Sequence, residues 1–323
     1  MTQPSVNTTF DTSLVDLNPN VSFSTTESDH SDAGMPSTIQ RNQNAAPSPL
    51  AHNVNQNTSQ ASQSVPPKTS TPVQHIGTQE AYDQWASVYD SDGNMLQSID
   101  DDELNTLLPS LLGQIAAISS PDISILDLGC GTGRNTARLL SHSWPADRKV
   151  AVTGLDFSAG MLNLARTKLA AFTDVNKHMT LRLEQCDPFP ASNDFSPSAI
   201  NLPPQNLIIS TLVLEHIPLP TYLRTLATLL APGGVALVTN MHDEMGSRSQ
   251  AGFVNAQGVK VRGESFVYTL PETVQAAQDA GLELIQARER SVEDKDVQSG
   301  VVGKRGGKWI GCKVWFGVVL RKA

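Results

Sequence analysis

The stretch that most constrains this chain is Ile125-Leu126-Asp127-Leu128-Gly129-Cys130-Gly131-Thr132-Gly133. An apolar run meets an acid, three glycines follow at alternate positions, and a helical pattern opens near Asn135. Such a strand–turn–helix unit brings a ligand against bare backbone amides, because glycine has no Cβ in the way. The spacing narrows the ligand. A dinucleotide fingerprint needs Gly-x-Gly-x-x-Gly. Gly129 and Gly131 fit it, but Arg134 stands at the third position, which disfavours a nicotinamide oxidoreductase. The pattern present is Gly-x-Gly-x-Gly, ending at Gly133, with Asp127 two residues ahead of the first glycine. A carboxylate there is awkward for a pyrophosphate and suits a ligand that carries an ammonium.

The next unit repeats the rhythm. Residues 149–155 form a β-rich run that ends at Asp156, and Ser158 is placed to cap a helix over 159–172. A carboxylate at the end of the second strand of a βαβ unit can accept from both hydroxyls of a ribose, and it repels a 2′-phosphate. A plainer account of Asp156 is an acid facing a helix dipole. Two acids in register after successive strands, with the glycines between them, strengthen the ligand reading.

The segment Asp127-x-Gly129-x-Gly131-x-Gly133 resembles the first motif of the class I S-adenosylmethionine (SAM)-dependent methyltransferases. That resemblance implies an α/β fold, a seven-stranded mostly parallel sheet with helices on both faces. It implies SAM as co-substrate, with the glycine turn against its methionine portion and Asp127 holding its amino group. It places Asp156 on the ribose, and Phe157 and Met161 beside the adenine, where either is equally accounted for as core. Asp187, after a third strand over 179–184, would accept from the adenine amine. Residues Leu212-Val213-Leu214-Glu215-His216-Ile217 resemble a segment that lines the cleft beside the transferred methyl, and Leu230-x-Pro232-Gly233-Gly234 also matches the family. Upstream, Tyr82-Asp83-Gln84-Trp85 through Tyr89-Asp90 resembles a lid that brings its last tyrosine near the sulfonium. A cation–π contact from Tyr89 makes physical sense there. Tyr82, Trp85 and Tyr89 fall on one helical face, which also fits a simple anchoring role.

Around this centre the chain divides by composition. Residues 1–76 are rich in Ser, Thr, Asn, Gln and Pro without sustained period, and are expected to be a disordered polar tail. Residues 77–323 are expected to form one domain. It comprises a helical lid (77–120), a SAM-binding core (121–240), an insertion over 241–270 shaping the acceptor pocket, and a last helix with antiparallel strands (271–323). A leucine-rich helix over 101–118 is interrupted by Pro109, a kink site. Glycines punctuate a hairpin pattern near 253–262. Residues 188–204 read as a loop. Strands are expected over 206–211, 235–240, 282–290 and 309–320, and helices over 221–230 and 272–280.

The net charge of −9 disfavours a general nucleic-acid binder. Cys130, Cys186 and Cys312 show no metal-ligand or disulfide spacing, so no metal is expected, and a reducing setting follows. The first residues lack the pattern of a signal peptide, and no apolar run is long enough for a membrane span. The expected location is cytoplasmic, with the nucleus a second compartment.

Methyl transfer from a sulfonium needs alignment more than covalent help, since the leaving group is already good. A hydroxyl acceptor benefits from a base, and His216 and His242 are the candidates. Each follows a strand end, although an isolated histidine also serves as a structural hydrogen-bonding residue. The acceptor expected is a small molecule. Two alternatives stay open: a protein methyltransferase recruited to a partner through the tail, and a SAM-binding regulatory module without catalysis.

Overall fold

In a computed structural model, residues 14–16, 73–172, 178–189 and 202–323 are described. Most of the polar tail, and residues 190–201 of the expected loop, lie outside them. The chain forms β1 (Leu14–Asp16), β2 (Val73–His75), α1 (Thr78–Tyr89), α2 (Met95–Ala116), β3 (Asp122–Leu128), α3 (Arg134–Ser141), β4 (Lys149–Asp156), α4 (Ala159–Leu169), β5 (Met179–Gln185) and β6 (Gln205–Thr211). It continues through α5 (Leu219–Leu229), β7 (Leu230–Met241), α6 (Asp243–Gly246), β8 (Ser249–Ala251), β9 (Phe253–Val254), β10 (Lys260–Arg262), α7 (Leu270–Asp279), β11 (Leu282–Ser291), α8 (Asp294–Gln298) and β12 (Lys313–Lys322).

The expected sheet is present. Seven strands lie in the order β11-β12-β7-β6-β3-β4-β5. Strands β7, β6, β3, β4 and β5 pair in parallel, while β12 runs antiparallel to both of its neighbours. The chain leaves β3 to one side for β4 and β5, then returns to the other side for β6. The switch point therefore lies between β3 and β6, where ligands collect in sheets of this kind.

Alternation along β3 sorts its side chains between two apolar layers. Ile123 and Ile125 pack with the leucine stripe of α2 and with Leu139 of α3. Leu126 and Leu128 face the other way, onto α5 and α7. The α2 stripe, from Leu104 to Ile115, is buried as the pattern predicts. The helix is longer than its periodicity suggested. It starts at Asn94, whose side chain accepts from the Leu96 and Gln97 amides, and it continues through Pro109. The apolar stripe on both sides of the proline offsets the one backbone bond that proline cannot make.

Several boundaries differ from expectation. Strand β12 begins at Lys313, and Trp309 ends a 3₁₀ turn instead of opening the strand. Residues 231–234 continue β7 with a register shift against β6 instead of forming a separate turn. The hairpin is confirmed as β9 paired with β10, and β2 adds to it in parallel. Strand β1 pairs antiparallel with β8. No strand was anticipated at β1 or β2.

The sequence did not advertise the polar knot beneath the sheet. Asp100 of α2 is fully buried. It accepts from Thr239 Oγ1 at 2.6 Å and from Trp315 Nε1 at 2.8 Å, and it pairs with Arg134 at 2.7 Å. Arg134 also reaches Asp101 at 2.6 Å. One carboxylate thus ties α2 and α3 to β7 and β12. Removing one partner of a buried ion pair leaves the other charge uncompensated, at about 3–5 kcal/mol. Asp100→Ala is therefore expected to lower unfolding stability by that amount in a denaturant titration, and Asp100→Asn by clearly less.

Candidate functional site

At the carboxyl ends of β3, β4 and β6 the sheet opens into a cavity of about 140 Å³. The floor is the glycine turn, Gly129 and Gly131, with Leu155 and Asp156 from the end of β4. Phe157, Met161 and residues 187–189 form one wall, and residues 211–213 with His216 and Ile217 form the other. Tyr82 and Tyr89 of α1 close the top.

Backbone geometry explains the floor. Gly129 has φ +76°, and a Cβ there would sit 2.4 Å from Val213 Cγ2. Gly131 has φ +53° and nothing within 4 Å of the Cβ position, so bare backbone faces open space. The Gly129 and Cys130 amides donate to Leu155 O at 2.8 and 2.9 Å, clamping the turn onto β4. On the opposite wall Leu212 has φ +57°, the one positive φ of a non-glycine among the described residues. Its amide donates to Thr239 O at 2.9 Å, which holds the strained backbone in place.

The two acids differ in situation. Asp156 accepts from the Gly131 amide and the Ser158 amide, each at 2.8 Å. Asp127 is buried behind the turn and accepts from Thr136 Oγ1 at 2.5 Å. Burial pushes both carboxyls up to about 6, against the pull of those hydrogen bonds. No Lys or Arg lines the cavity among the described residues.

Opposite the acids sits a histidine with a defined tautomer. His216 Nδ1 lies 2.8 Å from the carbonyl of Glu264, which only accepts, so Nδ1 carries the hydrogen. Nε2 is then the acceptor in the neutral ring, and Tyr82 donates its hydroxyl to it at 2.8 Å. Burial lowers the proton affinity of this imidazole. Glu215, next along the turn, is buried with Oε1 3.5 Å from Nε2.

Helix α1 is clasped over the cavity at both ends. Asp83 accepts from Ser158 Oγ at 2.6 Å and from the Gly160 amide at 2.9 Å. Asp90 accepts from Thr132 Oγ1 and pairs with Lys168, both at 2.7 Å. Trp85 stacks on Phe253 with ring centroids 5.5 Å apart.

Of the residues singled out in the sequence, Tyr89, Gly129, Gly131, Asp156, Phe157, Met161, Asp187, Leu212 and His216 meet at the cavity. Three do not line it. Asp127 turns to Thr136, and Gly133 serves as the N-cap of α3 with φ +80°. His242 was expected at the cleft, but both ring nitrogens are engaged elsewhere. Nδ1 accepts from the Glu244 amide at 3.1 Å, capping α6, and Nε2 donates to Glu289 at 2.8 Å. The segment 241–270 contributes no lining residue either. It braces the site from behind, through Phe253 against Trp85 and through Glu264 O on His216. Sequence reasoning missed Tyr82 and Phe189 as cavity residues. For Tyr82 the helical spacing to Tyr89 was a usable signal.

The raised carboxyls have a consequence for stability. A carboxyl whose folded proton affinity exceeds its unfolded value contributes stability at low pH. That contribution is lost as pH rises from about 3.8 through about 6. Asp127→Asn lacks this loss. Its stability relative to wild type is expected to improve by about 3 kcal/mol between acidic and neutral pH, read from unfolding curves of both proteins.

Comparison with known proteins bears on the same residues. Residues 101–287 match the family model described as a methyltransferase domain. An uncharacterised methyltransferase of Emericella nidulans is 38% identical over 267 residues, which cover 76% of this chain and 91% of that protein. Trans-aconitate 2-methyltransferase of Methylobacterium nodulans is 34% identical over 122 residues, 38% of this chain and 39% of that protein. Among solved structures, the magnesium protoporphyrin IX methyltransferase of Synechocystis with bound SAH superposes with TM-score 0.48 at 13% identity, over 76% of this chain and 94% of that one. With the parallel sheet, the glycine turn and the acid closing β4, the matched domain makes this chain a member of the class I SAM-dependent methyltransferases.

Proposed function

We propose that this enzyme methylates a small molecule held between the glycine turn and α1. The observation that carries the reading is the lining of the cavity. It is concave and mostly apolar, with Asp156, Asp187, Thr211 and His216 as its few polar side chains beneath Tyr82 and Tyr89, a make-up that suits a small molecule better than a folded protein surface. A small molecule, trans-aconitate, also stands in the name of one relative, which speaks to the size of an acceptor and not to the group methylated here.

The residues present fit SAM. Bare backbone at Gly131 leaves room for close approach, and the buried Asp156 carboxyl meets no cationic side chain among the residues lining the cavity. In this reading the turn holds the methionine end with Asp127 acting from behind it, Asp156 takes the ribose hydroxyls, and Asp187 takes the adenine amine between Phe157 and Met161. Tyr89 turns its ring to the sulfonium. The bound co-substrate supplies an activated methyl carbon. The chain's own contribution is alignment and exclusion of water, which together are worth on the order of 7–11 kcal/mol for well-placed reactants. His216, neutral and aimed by Glu264, is the base proposed for the acceptor. His242, held by Glu244 and Glu289, is not assigned that task.

Calorimetry with S-adenosylhomocysteine (SAH) tests the binding half. Wild type is expected to bind, and Asp156→Ala to lose about tenfold or more in affinity, as for a hydrogen bond to a charged group. Equal affinity in the two proteins would remove the assignment. Deleting residues 1–72 tests the acceptor half, with methyl-labelled SAM added to a cell extract. Label is expected in a metabolite, undiminished by the deletion. Label in a polypeptide that vanishes with the tail would instead indicate a recruited protein acceptor, and SAH binding without any product would indicate a regulatory module.

A further inference from the structure

Behind the Tyr82–His216 hydrogen bond lies a carboxyl that the assignments above do not use. Glu215 belongs to the short 3₁₀ turn Leu214–His216 that follows β6. Its amide donates to Asn240 Oδ1 at 3.0 Å, and its carbonyl accepts from the Phe266 amide at 2.6 Å. With the backbone held at both points, the side chain turns inward and is 4% exposed. Oε1 lies 3.5 Å from His216 Nε2. Oε2 is buried and has no hydrogen-bond partner among the described residues. A buried oxygen of this kind is costly to retain unless it has a task.

We propose that Glu215 and His216 share one proton and, once it is lost, act together as the base for the acceptor, reached through the Tyr82 hydroxyl. The acceptor is therefore one that must shed a proton, a hydroxyl or an amine, and not a carboxylate. This rests on the methyl-transfer reading. The acceptor's hydrogen passes to Tyr82 Oη as the Tyr82 hydrogen passes to His216 Nε2. The acceptor's lone pair forms the bond to the methyl carbon, and the carbon–sulfur bond breaks with its electron pair staying on sulfur. Tyr82 ends as it began, and the proton rests on the imidazole beside the Glu215 carboxylate. Tyr82 touches the acceptor in this scheme; Glu215 acts through His216 and is a positioning residue. A carboxylate acceptor would bring no proton and would meet no Lys or Arg in the cavity wall among the described residues.

The surroundings favour holding the proton. Tyr82 and Tyr89 of α1, Asp92 beyond that helix and Asp156 of β4 face the cluster, as does the Glu264 carbonyl from the insertion. Arg134 acts on Tyr89 from beyond the cluster. Burial pushes the Glu215 carboxyl up to about 8 and lowers the His216 imidazole below 6.5. The sign follows. The base is competent without the shared proton, so turnover should rise as pH climbs through about 8. With Glu215→Gln the remaining base is His216 alone, and that limb should move to lower pH by about one unit or more.

The test needs no acceptor. Histidine-selective nitrogen-15 spectra of the full chain are titrated from acid to alkaline pH, for wild type and Glu215→Gln, with His216→Asn assigning the signal. The His216 resonances of wild type should inflect near pH 8, and that inflection should be lost in Glu215→Gln. Infrared spectra of wild type should keep a protonated carboxyl C=O band above neutral pH, a measurement that stands even if the variants fold poorly. Identical titrations in the two proteins, or no such band, would overturn the proposal. SAH calorimetry on the same wild-type sample separates the two ideas. Binding without the inflection sinks the shared proton alone, whereas no binding removes the functional reading beneath it.

Discussion

The site depends on one clamp between neighbouring strands. The turn after β3 donates two amides to Leu155 O and a third, from Gly131, to the Asp156 carboxylate. These bonds bring the ends of β3 and β4 to the same level and expose backbone that any side chain would cover. They also explain why the carboxyl of Asp156 stays oriented although burial opposes its charge. The floor is therefore preorganised by the chain itself, and binding need not spend free energy arranging it.

From the floor, the constraint passes into the body of the protein through Arg134. The same residue that breaks the dinucleotide pattern opens α3 and lies against Asp100, Asp101 and Tyr89. Asp100 in turn collects Thr239 and Trp315 from β7 and β12. Removing one partner of a buried ionic network is costly even where the whole network adds little net stability. Here it fastens the first turn of α3, next to the cavity floor, to α2, β7 and β12.

Much of this was legible in the residues, and the failures have physical reasons. The parallel strands read as short apolar runs because both faces of the sheet are covered. The glycine turn and Asp156 were legible because backbone exposure and a strand-end carboxylate leave strong local signatures. His242 was misplaced because a strand end is all that sequence shows, and the capping bond to Glu244 and the hydrogen bond to Glu289 depend on neighbours 2 and 47 residues away. The start of α2 was missed because the acids at 100–102 mask its period, although Asn94 carries an ordinary capping signal. The Trp309 boundary failed because an aromatic residue packs as well at the end of a 3₁₀ turn as in a strand.

The clasped helix α1 has a kinetic meaning. Any movement of α1 away from the cavity would part the Asp83 and Asp90 contacts and slide Trp85 off Phe253. Such a movement would be a local opening of a single element of twelve residues. The Asp90–Lys168 pair is the part of that fastening on which ionic strength acts.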